Sequence, residues 1–163
     1  MIEVKNVKKS FNGVEVLKGI STTFETGKTN LIIGQSGSGK TVLLKSLLGI
    51  HTPDSGTISF DGRIYSELND DERRDLRTEI GMVFQGSALF DSMTVEENVA
   101  FPLKMFTNKT IAEIKERVDF VIDRVHLENA HTKKPSEISG GMQKRVAIAR
   151  AITKKPDVLL CDE

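Results

Sequence analysis

Apolar and polar residues alternate at the start of the chain. Ile2, Val4 and, after one irregular step, Val7 share a phase, and Val14, Val16, Leu17, Ile20 and Phe24 follow beyond Asn12-Gly13. A period of two puts one row of side chains on a buried sheet face, and Asn-Gly suits a tight hairpin turn because both central residues take positive φ. Residues 1–28 are therefore expected to form two or three antiparallel strands. Residues 29–33 read as a short apolar strand and residues 42–48 as a helix closed by Gly49, so the segment between them joins strand to helix. The turn cluster His51-Thr52-Pro53-Asp54-Ser55-Gly56 leads to a strand over 57–60, ended by Asp61-Gly62. Residues 69–77 read as a polar helix with Asn69 as N-cap and Glu72 three positions on, followed by a buried strand over 80–84 with Gln85 at its end.

From Gly86 to about Thr153 the pattern becomes helical. Thr94-Val95-Glu96-Glu97 and Thr110-Ile111-Ala112-Glu113 are capping boxes, and the second opens a helix with Ile111, Ile114, Val118, Val121 and Val125 on one apolar stripe. Between the strand and the first of these helices, Ala88, Leu89, Phe90 and Met93 are apolar residues in an expected loop, and they need a partner surface inside or outside the chain. Ser139 is the expected N-cap of a helix running to Thr153, where Lys154-Lys155-Pro156 stops it. Residues 158–163 then read as a buried parallel strand ending in two carboxylates, with Cys161 as a packed core residue.

Composition narrows the class. Lys plus Arg and Asp plus Glu number 23 each, so no net positive field draws nucleic acid to the chain. One cysteine excludes a disulfide framework, and Met1-Ile2-Glu3 opens no basic-then-apolar targeting segment, so the cytosol fits both facts. No apolar run reaches the roughly 18 residues of a membrane span, so any membrane connection is expected to go through another chain.

Candidate chemistry centres on Gly34-Gln35-Ser36-Gly37-Ser38-Gly39-Lys40-Thr41, which fits G-x-x-x-x-G-K-[ST] in the strand–loop–helix context that this pattern requires. The glycines let the backbone wrap a polyphosphate with its N–H groups inward, and the helix N-terminus adds positive dipole. Lys40 would hold the β- and γ-phosphates of a nucleotide, and the Thr41 hydroxyl would stand beside a Mg²⁺ ion bridging them. The expected fold is thus α/β, a P-loop NTPase with a mixed or parallel core sheet, an N-terminal antiparallel β-subdomain and an inserted α-helical subdomain. Within a single domain over 1–163, the segments are 1–28, the P-loop core 29–85, the helical part 86–153 and the last strand 154–163.

Other residues join this centre less sharply. Ser139-Gly140-Gly141 opens a second helix with exposed backbone N–H groups, although such a tripeptide alone is more often a flexible loop. Asp162 can anchor the Mg²⁺ shell and Glu163 can deprotonate a water. Gln85 sits at the rim where ligands of open α/β sheets gather, and Phe11, before the hairpin turn, reads locally as a core aromatic. His51 reads as a surface loop residue, and His126 and His131, with no metal-ligand company in sequence, read as solvated or structural.

Taken together, these residues resemble the ATP-binding-cassette ATPases, the motor subunits of ABC transporters, over essentially the whole chain. Gly34 to Thr41 match the Walker A loop, Gln85 the Q-loop, Ser139-Gly140-Gly141 the signature, 158–162 Walker B, and Glu163 the catalytic base. The resemblance counts Gln85 with both the catalytic and the Mg²⁺-binding residues and makes Phe11 the aromatic that stacks on adenine. It implies a head-to-tail homodimer in which the signature of one copy meets the γ-phosphate held by the other, docked on an integral membrane permease at the cytoplasmic face of the inner membrane. Met142 stands where many members carry glutamine. The stretch Gln85-Gly86-Ser87-Ala88-Leu89-Phe90-Asp91-Ser92-Met93-Thr94-Val95 is similar, more narrowly, to the cassettes of Mla-type phospholipid transporters, which would make Leu89 and Phe90 a permease contact.

The family continues past the glutamate with a D-loop and a switch histidine, so the chain is expected to be truncated, and this piece alone is expected not to turn over ATP, as a nucleotide-dependent dimerisation module would not, although the full-length protein would. Two other P-loop classes fit poorly. Asn108-Lys109-Thr110 is followed by Ile111 rather than the aspartate that reads guanine, and Lys40 lies too near Ser139 for the long coiled coil of DNA-repair ATPases.

Overall fold

The computed structural model describes residues 1–162 and divides the chain into two compact units, Met1–Leu76 and Arg77–Glu163. In the first, β1 (Ile2–Phe11), β2 (Val14–Phe24), β3 (Ser55–Phe60) and β4 (Arg63–Ile64) form an antiparallel sheet of order β2-β1-β3-β4. The Asn12-Gly13 turn joins β1 to β2 with φ of 49° and 80°, and Asp61-Gly62 repeats the arrangement between β3 and β4 with 48° and 82°. Both turns follow from residues that tolerate left-handed backbone. The irregular step in the apolar pattern is a register shift between Val4 and Val7, where Asn6 takes φ of 48° and lets both valines point into the core.

Gly56 pins β3 against that shift. A Cβ added there would stand 2.3 Å from the carbonyl oxygen of Asn6 and 2.5 Å from that of Lys5, at φ +84°. Backbone atoms in the middle of a sheet cannot swing aside as a side chain can, so Gly56→Ala should destabilise the protein by about 2–3 kcal/mol. Chemical denaturation checks this, and an unchanged midpoint would show that the sheet yields there.

The helix α1 (Lys40–Leu47) buries Leu43, Leu44 and Leu47, each worth roughly 1.5–3 kcal/mol of apolar burial. Gly49, at φ 67°, ends it. The expected strand over 29–33 does not form. Residues 28–35 join no ladder among the described residues, and Leu31 and Ile33 are 83% and 82% exposed. Apolar side chains favour burial, but a strand exists only when a neighbour supplies its hydrogen bonds.

In the second unit, β5 (Ile80–Val83) pairs in parallel with β6 (Val158–Cys161). α2 (Asp70–Thr78) precedes β5, and its start is closed reciprocally as the pattern predicts: Glu72 N donates to Asn69 Oδ1 at 3.0 Å and Asn69 N to Glu72 Oε2 at 2.8 Å. α3 (Val95–Phe106), α4 (Ile111–Arg124) and α5 (Gly140–Ile152) pack around Val99, Leu103, Val118, Val121, Ile122 and Val146. Both predicted capping boxes are present, at Thr94 and Thr110.

The α4 stripe is shorter than its spacing suggests. Ile111 is 88% exposed, because the first helical residue projects beyond the core that begins at Ile114. The last strand is likewise not buried on both faces. Leu160 points inward, whereas Cys161 is exposed and Leu159 is 44% exposed, which corrects the reading of Cys161 as a core residue. Among the described residues β6 has a partner on one side only. The α/β class itself, with an antiparallel β unit, a parallel pair and a helical bundle, is as expected.

Candidate phosphate-binding site

Residues 34–38 of the loop are exposed, and the chain enters α1 through half-buried Gly39 at φ 96°. Gly39 is required twice over. Its backbone is left-handed, and a Cβ would press within 3.1 Å of Leu17 Cδ2 and Val16 Cγ1, where α1 begins against β2. A glycine N-cap also offers no side-chain oxygen to the first-turn N–H groups, which leaves that role to an anion. Gly37, at φ 77°, has nothing within 4 Å of an added Cβ among the described residues, and Ser38 N donates to Gln35 O at 3.2 Å to close the bend.

Lys40 Nζ lies across the concavity, donating to Gly34 O at 2.8 Å and Gln35 O at 3.0 Å. These are weak partners for a cation and can be exchanged for phosphate oxygens, which bind an ammonium more strongly. Thr41 follows on the first turn of α1. Gln35, Ser36, Gly34 and Ser38 line the same loop, so all eight sequence-predicted positions stand together and fit a polyphosphate with a Mg²⁺ ion.

Phe11 belongs to the same unit. It is part-exposed rather than buried in the core, with His51 edge-on at 5.2 Å and Lys9 Nζ over the ring at 5.5 Å. Lys9 is itself held by Asp54 at 2.7 Å, and Ser10 N donates to the same carboxylate at 2.6 Å. Those bonds, the one from Lys9 first, keep the Asp54 carboxyl below the usual carboxylate range. His51, read from sequence as a surface residue, thus supports an aromatic ring that retains an open surface.

The second unit places Gln85 and Asp162 at one rim. β5 and β6 run in parallel with Val83 opposite Cys161, and Asp162 N donates to Val83 O at 2.9 Å, so both residues follow the carboxyl ends of adjacent strands. Asp162 is buried and Gln85 exposed. Glu163 lies outside the described residues. Ser139 caps α5 by accepting from Met142 N at 3.3 Å, and added Cβ atoms on Gly140 or Gly141 meet nothing within 4 Å among the described residues. That helix start is therefore open to an approaching ligand.

Two residues that sequence reasoning did not single out hold the Gln85 loop. Arg150 donates from Nη2 to Ser87 O at 2.9 Å and from Nη1 to Ala88 O at 2.8 Å. Fully buried Asn98 accepts from Phe90 N at 2.9 Å and donates to Phe90 O at 3.1 Å and Met93 O at 3.3 Å. The signal was present in each case: a polar residue at helical spacing from apolar residues of its own helix, Asn98 with Val95 and Arg150 with Val146 and Ala147. The apolar loop residues find their surface inside the unit, Leu89 against the helical core and Phe90 on Phe101 at 4.7 Å, though Phe90 stays 40% exposed.

The sequence profile of the ABC transporter family matches residues 17–163. The chain is 42% identical over 163 residues to the methionine import ATP-binding protein MetN of Clostridioides difficile, covering 100% of this chain and 50% of that protein. It is 41% identical over 162 residues to the probable ribonucleotide transport ATP-binding protein mkl of Mycobacterium leprae, covering 99% of this chain and 47% of that one. It spans about half the length of the curated relatives it matches. Among solved structures, the dimeric post-hydrolysis state of the ATP-binding cassette MJ0796 bound to ADP and Pi superposes with a TM-score of 0.91 at 32% identity, over 99% of this chain and 73% of that chain. The loop geometry, the open helix start at Ser139 and these matches agree: the chain belongs to the ABC transporter family.

Proposed function

We propose that this chain binds and hydrolyses ATP as part of an ABC transporter, and that the Gly34–Thr41 loop carries the reading. In it Gly34, Gln35, Ser36, Gly37, Ser38, Gly39 and Lys40 surround the phosphates, and Phe11 offers its face to adenine. Thr41, Gln85 and Asp162 would hold Mg²⁺, which when bound neutralises charge on the β- and γ-phosphate oxygens. Glu163 and Gln85 would orient and deprotonate water, and Ser139, Gly140 and Gly141 of a second copy would complete the site, giving a head-to-tail homodimer. The segments 1–28, 29–85, 86–153 and 154–163 are the proposed parts of this one cassette.

Among the described residues no helix is long and apolar enough to cross a membrane. We place the chain at the cytoplasmic face of the inner membrane through a permease subunit, with the exposed part of Phe90 among the contacts. The likeness of residues 85–95 to Mla-type cassettes makes phospholipid the proposed cargo. A second reading, a small polar solute, is favoured by the names of relatives, which specify methionine, ribonucleotide or, for PotA of Nitrosospira multiformis at 42% identity, spermidine and putrescine.

The full-length protein, reconstituted with its co-purifying membrane subunit in vesicles, separates these readings. Phospholipid-stimulated ATP turnover supports the first, stimulation only by methionine, nucleotide or polyamine supports the second, and no turnover under any condition removes the ATPase reading. Phe11→Ala should weaken ATP binding by about 1 kcal/mol, roughly fivefold, if adenine stacks on the ring. Calorimetry with ATP and tripolyphosphate checks it, since only ATP affinity should fall.

A further inference from the structure

We infer that Arg150 is a positioning residue for the Gln85 loop: from the last turn of α5 its guanidinium grips the carbonyls of Ser87 and Ala88 and so sets where Gln85 and Phe90 stand. The loop needs such a grip. Ser87 and Ala88 are consecutive non-glycine residues at φ 61° and 47°, a left-handed kink that side chains with a Cβ avoid unless their surroundings impose it. The kink turns two successive carbonyl oxygens toward α5, where the planar guanidinium meets both at 2.9 and 2.8 Å. Two parallel N–H donors suit that pair, and a single ammonium does not.

The same guanidinium lies 5.9 Å from the Phe90 ring, whose backbone Asn98 fastens on the other side. Residues 87–90 are therefore tied to α5 at one end and to α3 at the other. Gln85 is carried by the turn in which Ser87 N donates to Phe84 O at 2.9 Å. Arg150 is not what holds α5 in the bundle, because Val146 and Ala149 supply that packing. Its guanidinium donates to the loop carbonyls of Ser87 and Ala88, and through them the position of Gln85 depends on the helix that begins at Ser139. The catalytic consequence rests on the proposed ATPase reading, whereas the geometric consequence does not.

The test uses the full-length protein with Arg150→Ala and Arg150→Lys. Amide hydrogen exchange should speed up at least on the order of tenfold at Ser87, Ala88 and Phe90, whose N–H groups bond within the loop or to Asn98, while α3 and α5 keep their protection. Steady-state kinetics should show kcat reduced about tenfold with KM for ATP changed less than twofold, because the phosphate loop is untouched. Arg150→Lys should resemble Arg150→Ala rather than wild type in the exchange of Ala88.

Unchanged loop exchange in either variant, or α5 amides accelerating by the same factor as the loop, would overturn the assignment. If Arg150→Ala does not fold, Arg150→Lys keeps the stem and decides by the same exchange measurement. A wild-type protein without turnover would end the ATPase reading and leave the exchange comparison to judge Arg150.

Discussion

Replacing Lys40 with alanine in the full-length protein should weaken Mg·ATP binding by about 2–3 kcal/mol, roughly 30- to 150-fold in Kd. The ammonium stands over the loop and is held there by the carbonyl oxygens of Gly34 and Gln35, partners that a triphosphate can replace with charged oxygens. The loss should fall on binding rather than on folding. Lys40 is the first residue of α1, whose buried face is Leu43, Leu44 and Leu47, so alanine at that position preserves both helix propensity and packing. Calorimetry with Mg·ATP, run beside a thermal melt, checks both halves. Equal affinities would show that the loop does not hold phosphate, and a fall of several degrees in Tm would show that the effect came through stability.

Gly141→Asp should reduce ATP turnover by on the order of a hundred- to a thousandfold while ATP affinity and Tm stay near wild type. An added Cβ at Gly141 meets nothing within 4 Å among the described residues, so the variant can be accommodated. Asp in the first turn of α5 even favours the helix through its dipole. In the proposed head-to-tail homodimer, the added carboxylate would stand beside the backbone N–H groups where the γ-phosphate of the other site would arrive and would repel it. Gly141→Ala, small and neutral, should lose less. Phosphate release by the full-length protein measures the effect. Unimpaired Gly141→Asp turnover would show that Ser139-Gly140-Gly141 contacts no nucleotide, and the tripeptide would then be an ordinary helix cap.

Much of this site was legible because its instructions are local. Positive φ at Asn12-Gly13 and Asp61-Gly62, the caps at Asn69, Thr94, Thr110 and Ser139, and the glycine entry into α1 each depend on residues within a few positions of one another. What was misread depends on partners far away in the chain. Residues 29–33 carry the apolar pattern of a strand and have no ladder, and Cys161 sits in an apolar run yet is exposed because the period of two puts it with Leu159 on the face opposite buried Leu160. Ile111 keeps the correct helical phase and still misses the core, since phase says which face a residue lies on and not how far the core extends.

The sequence by itself therefore determined the element types, their caps and turns, and the candidate phosphate loop with its lysine, since backbone sterics and hydrogen bonds between near neighbours specify all of these. Only the tertiary structure decided which apolar residues are covered. It also brought Arg150 to Ser87 and Ala88 across 63 and 62 residues of chain, and it set His51 against Phe11. Those contacts are chosen by how sheets and helices pack, and no short stretch of residues contains that information.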